Sequence, residues 1–138
     1  MTRINCVPPS ELSNQHLLAE YHELPRVYGL AYRFYRKHKQ FPAHSLPPKY
    51  TMGAGHIKFF YVRLKYITAR YLLLSAELRS RGFKPQYDSP PQLFMDATPS
   101  WMWLHWEPDA EALRVNRARL KERSPKAYPN LNEAGMHC

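Results

Sequence analysis

The first 26 residues hold the side chains best suited to chemistry. The chain opens Met1-Thr2. Thr2 is small, so removal of Met1 by an aminopeptidase is expected, which would leave the α-amine of Thr2 free. Such an amine has a pKa near 8, roughly two units below lysine, so part of it is unprotonated at neutral pH. The neighbouring Arg3 and a basic surface lower that value further by like-charge repulsion. An amine of this kind can attack an electrophilic carbon and form an imine, the strategy of Schiff-base lysines. Many proteins begin Met-Thr and are chemically silent there, so the pair alone identifies nothing.

Glu23 stands two residues before Pro25 in HELPR. A proline inside a helix removes one backbone donor and bends the chain, freeing carbonyls that make the place polar. A carboxylate there can stabilise a positive charge that grows as a leaving group departs, and can shuttle protons. It can equally be a surface glutamate on a basic protein. Arg26 lies three residues on, so it shares a helix face with Glu23. Two roles are open to it, a phosphate clamp or an ion pair with Glu23. Gln15 and His16 come one to two turns earlier, and His16, seven residues before Glu23, faces the same side. His22-Glu23 begins like a zinc-protease motif, but Arg26 stands where the second histidine would be. His38, His44 and His56 show no paired ligand spacing. No metal and no cofactor are expected.

The elements that must position these groups are helical. One segment starts after Pro8-Pro9 with Ser10 or Ser13 as cap, carries Leu17, Tyr21, Leu24 and Tyr28 at helical spacing, bends near Tyr21–His22, and reaches about Lys37. A second runs from Gly55 to Arg81, with Phe59, Phe60, Leu64, Ile67, Tyr71, Leu74 and Leu78 on one face and Arg63, Arg70 and Arg79 largely off it. Gly82-Phe83 reads as its left-handed cap. Gly53 and Gly55 would let backbone approach a phosphate with the helix start, and His56, behind them, or form a plain turn. A third helix spans about 109–123, with Pro108 at its first position and Ser124-Pro125 ending it. Between the second and third lies a loop over 84–107 holding Trp101, Trp103 and Trp106, expected in the core. Thirteen prolines against five glycines suit a few long helices with stiff connectors. The expected fold is all-α, a single compact domain of three main helices joined by irregular connectors, over 1–138.

The net charge is +9, unevenly spread. Residues 41–87 carry eight Lys/Arg and one acid, whereas 88–111 carry five acids and no Lys/Arg. A basic molecule with one acidic stretch favours a polyanionic partner, nucleic acid before an anionic membrane surface. No apolar run approaches the roughly 20 residues that span a bilayer, and MTRINCVPPSEL has no secretory signature. Cys6 and Cys138 lack metal-ligand spacing and are expected to be reduced thiols of a cytoplasmic protein.

Four strings carry a resemblance: MTRIN at the start, SELSNQHLLAEYHELPRVYG at 10–29, MGAGHIKFFYVRL at 52–64 and RGF at 81–83. Together they resemble the pyrimidine-dimer DNA glycosylases, the endonuclease V-like enzymes of bacteriophage and their bacterial and viral relatives. Beyond residue 84 only ARL at 118–120 is similar. The resemblance implies a compact three-helix fold that excises the 5′ base of a cyclobutane pyrimidine dimer in duplex DNA and nicks the strand by β-elimination, without a metal. It implies that Thr2 supplies the nucleophilic amine and Glu23 the essential acid. Arg3, Gln15, His16 and Arg26 match the family's active-site and DNA-contact set. His22 and His56 are expected DNA contacts, as is Arg119 among the basic residues of 114–123. Two departures stand out: His22 replaces the arginine of the phage family, and the tail keeps Tyr128 alone where that family is aromatic-rich. The implied partner is double-stranded DNA with pyrimidine dimers or abasic sites, bound by a monomer in the cytoplasm, at the nucleoid of a prokaryote or a phage-infected cell. An abasic-site lyase, an oxidised-base glycosylase and a non-catalytic DNA-binding protein are the alternatives.

Overall fold

The computed structural model of the chain describes residues 3–40, 46–90 and 92–123. Thr2, His44, Tyr128, Cys138 and the Ser124-Pro125 helix stop lie outside the described residues. The architecture is all-α, and no β-strand occurs among the described residues beyond an isolated bridge between Arg63 and Trp103. No helix there is long and apolar enough to cross a membrane.

Helix α1 spans Asn14–Glu23 and α2 spans Arg26–His38. Of the two candidate caps, Ser13 is the one used: its hydroxyl accepts from the His16 amide at 3.1 Å. Ser10 belongs instead to a 3-10 turn over Pro9–Glu11. Because this cap fixes the turn that carries Gln15 and His16, Ser13→Ala is expected to lower stability by about 1 kcal/mol in urea unfolding. The break between α1 and α2 falls at Leu24–Pro25, three residues past the expected bend. Leu24 still donates to Glu20 at 2.8 Å, but Val27 and Tyr28 reach back only to Leu24 and Pro25. Pro25 has no proton to give the Tyr21 carbonyl, so the ladder slips at the ring itself.

The second helix is shorter than its apolar pattern implied. Helix α3 begins at Leu64 and runs to Ser80. Residues 53–62 form turns and a 3-10 segment, with Gly53 and Gly55 at φ +79° and +87°. Helix cannot extend back through Val62 and Arg63, because Val62 O accepts from the Leu104 amide and Arg63 bridges Trp103. His56 therefore sits in a turn, not at a helix start. At the other end Gly82 (φ +93°) donates to Arg79 O and Phe83 to Leu78 O, the paired bonds of a Schellman cap.

The connector after α3 contains a one-turn helix α4 (Gln92–Asp96) and a 3-10 turn at Ser100–Met102, more structure than the expected loop. Helix α5 covers Ala110–Arg123. Asp109 caps it through the Ala112 amide at 2.8 Å, which moves Pro108 outside the helix. The core gathers Leu17, Tyr21, Leu24 and Tyr28 with the whole expected face of α3, from Phe59 to Leu78. The three tryptophans pack against it, Trp106 stacked on Tyr50 at 5.5 Å. One residue breaks the sequence reading of α3: Arg70, placed off the apolar face, is buried.

Candidate active site

The extended segment after Arg3 enters the middle of the molecule, where side chains bond its backbone. Ile4 N–H donates to His56 Nε2 at 2.8 Å, and Ile4 O accepts from the Tyr50 hydroxyl at 2.9 Å. The amides of Cys6 and Val7 both donate to Asn116 Oδ1 on α5. Val7 O accepts from Arg70 at 2.6 Å. Buried backbone polar groups need partners, and this segment obtains them without a sheet.

Under it lies a buried polar network. Arg70 on α3 holds Glu20 on α1 through both carboxylate oxygens, at 2.8 and 3.0 Å. Asn5 donates to Glu20 at 2.8 Å and accepts from Asn116 at 2.7 Å. Three helices and the N-terminal segment are thus joined by one chain of bonds. Burial alone would weaken the charge on Arg70, but the Glu20 carboxylate outweighs it and raises its pKa above the ordinary value. Burial pushes the Cys6 thiol up to about 12, so it is a packing group here.

Above this network opens a cleft of about 190 Å³ lined by Arg3, Asn5, His16, Ala19, Glu20, Glu23, Leu120 and Arg123. The α1 residues fall at helical spacing on one face. Glu23 is one-third exposed and pairs with Arg26 at 3.0 Å. Arg3 has its pKa lowered by burial first and then by Arg119 and Arg123. His16 is lowered by burial, Arg3 and Arg123, which keeps its imidazole neutral near pH 7. Arg3, Arg123 and the neighbouring Arg119 thus bring positive charge to the cleft, with the Glu20 and Glu23 carboxylates in its wall. Such a site attracts a phosphate-bearing ligand and offers a base beside it.

The structure brings Arg3, His16 and Glu23 together, with Arg26 at the rim. Gln15 and His22 are exposed, His22 with its ring edge-on to Tyr21. Arg119 is half-buried, and its Nε makes no hydrogen bond among the described residues. His56 does not reach the surface: it is 4 % exposed and bonds Ile4 N and Thr51 O through its two ring nitrogens. Its placement corrects the expected DNA contact, because a ring buried on both edges cannot meet a phosphate. Sequence reasoning missed Asn5, Glu20 and Asn116. For Glu20 a signal existed, since it completes the 16, 20, 23 spacing of the cleft face. Asn116 is paired with residue 5 from far along the chain, and no local pattern marks it. Among the described residues no cluster of three metal-ligating side chains occurs.

The family model for pyrimidine dimer DNA glycosylases matches residues 1–90. That is about two-thirds of the chain, and it contains the whole N-terminal segment, α1, α2 and α3. The chain belongs to the pyrimidine dimer DNA glycosylase family, and its class is that of a DNA glycosylase acting in DNA repair.

Proposed function

We propose that this protein is a monomeric, bifunctional enzyme that excises the 5′ base of a UV-induced cyclobutane pyrimidine dimer in duplex DNA and then nicks the abasic strand. Removal of Met1 exposes the Thr2 amine, whose nitrogen attacks C1′ of the damaged nucleotide. The bond from C1′ to the base breaks, and its electron pair leaves with the base, which takes up a proton. The attacking nitrogen gives up its proton, its lone pair then opens the C1′–O4′ bond while O4′ takes up a proton, and the ring-opened iminium acidifies the C2′ proton. Glu23 accepts that proton, and the 3′ C–O bond breaks with the phosphate as leaving group. Glu23 also offsets the positive charge on the sugar while the base departs. Arg3, Arg123, Arg119 and Arg26 hold backbone phosphates, while Gln15, His16 and His22 flank them; these contacts position the duplex without reading its sequence. The lesion is selected because a dimer stacks poorly and kinks at low cost.

The observation that carries this reading is the cleft itself. Arg3, the covalent neighbour of Thr2, lines the same cleft as Glu23 of α1, and the segment that carries Arg3 is fixed from residue 4 onward. The test is borohydride reduction during reaction with dimer-containing and abasic duplexes, followed by peptide mapping. A covalent adduct at Thr2 with both substrates is expected. An adduct on a lysine, or none, sinks the amine mechanism. An adduct on abasic DNA alone leaves a lyase without dimer excision.

A further inference from the structure

We propose that His56 is a positioning residue for the reacting amine, a latch that holds the N-terminal segment in the cleft only while its imidazole is neutral. The inference rests on Thr2 being the nucleophile. The Thr51 carbonyl lies 2.8 Å from Nδ1, so Nδ1 carries the proton. Nε2 is then a bare acceptor, and it takes the Ile4 amide at 2.8 Å, two residues from Thr2. One neutral tautomer satisfies both bonds. A second proton would set two N–H groups against each other and leave the buried Ile4 amide without an acceptor.

The groups facing the ring disagree about that proton. Burial opposes it most, Arg3 and Arg119 oppose it, and the Thr51 carbonyl and Glu20 favour it, with a net lowering from 6.5. Tyr50 and Phe60 pack edge-on against the ring and carry no charge in this range. Because the folded value lies below the unfolded one, the unfolded chain binds the proton first as pH falls. The latch is fully closed above 6.5 and progressively opens as acidity passes through the folded value.

The amine itself must lose a proton to react, so imine trapping on an abasic duplex falls about tenfold per pH unit on the acid side. With the latch, the parent protein steepens towards about a hundredfold per unit once His56 titrates. His56→Gln keeps an acceptor that does not titrate, and its profile stays at the shallower slope. His56→Phe slows trapping roughly 10²-fold while affinity for a duplex with a non-reactive abasic analogue stays within about threefold. Hydrogen exchange of the Ile4 amide, followed by NMR in the parent, reads the latch without any substitution: protection is lost as His56 protonates. An Ile4 amide equally protected on both sides of that titration overturns the latch, as does a parent profile with no steepening. A parent that traps no abasic DNA at all overturns the Thr2 reading, and this inference with it.

Discussion

Glu23→Gln will cut single-turnover excision of a pyrimidine dimer by about 10²–10⁴-fold, the range expected when a positioned acid–base group is lost. The amide has the same shape and still accepts and donates hydrogen bonds, but it neither offsets a cationic sugar nor takes the C2′ proton. The loss will not come from unfolding. Glu23 is one-third exposed and Arg26 two-thirds exposed, so their 3.0 Å pair is a solvated i, i+3 contact worth at most about 1 kcal/mol. Nor will it come from weaker binding. Removing a negative charge from the mouth of a basic cleft leaves affinity for duplex DNA equal or higher. On a preformed abasic site, where no base must leave, the same variant will lose less, because only the proton-transfer role is then missing. Excision within threefold of the parent would remove Glu23 from the chemistry.

What could be read from the sequence divides by range. The apolar stripes of α1–α2 and α3 repeat at helical spacing, and every residue named on them is buried. Caps are equally local: Ser13 and Gly82 act within a few residues of themselves. His16 and Glu23 share the cleft because seven residues is two turns. Two misses are local, the bend that falls at Pro25 and the Asp109 cap that leaves Pro108 outside α5, but the others come from contacts that span the chain. Helix α3 starts late because residues 103 and 104 claim the backbone at 62 and 63. His56 is a buried fastener because Ile4, 52 residues away, needs an acceptor. Arg70 stands at i+3 from Ile67 and i−4 from Leu74, on the buried side of α3, and can be there because Glu20 and Val7 meet it inside the molecule. An arginine amid apolar neighbours at 66, 67, 71 and 74 is the trace such a contact leaves, yet it does not say which acid answers it.

That arginine governs the other large effect. Arg70→Met, which fills similar volume, is expected to lower stability by about 3–5 kcal/mol, the usual cost of leaving one partner of a buried pair unanswered. Arg70 and Glu20 are 3 % and 1 % exposed, so water cannot replace the guanidinium. The Glu20 carboxylate would keep only the Asn5 amide, and the Val7 carbonyl would lose its 2.6 Å donor. For a domain whose whole stability is about 5–15 kcal/mol, this is a large share. Urea unfolding at neutral pH measures it directly. The double variant Glu20→Leu, Arg70→Met is expected to regain part of the loss, since no buried charge remains. It will not regain imine formation to the same degree. Val7 would still lack its donor, Asn5 would now lose its carboxylate acceptor and keep only Asn116, and the segment leading to Thr2 would sit less firmly in the cleft. Recovered stability with depressed trapping separates the two duties of the network, holding the helices together and aiming the N-terminus. A single variant that loses under 1 kcal/mol would show that the pair does neither.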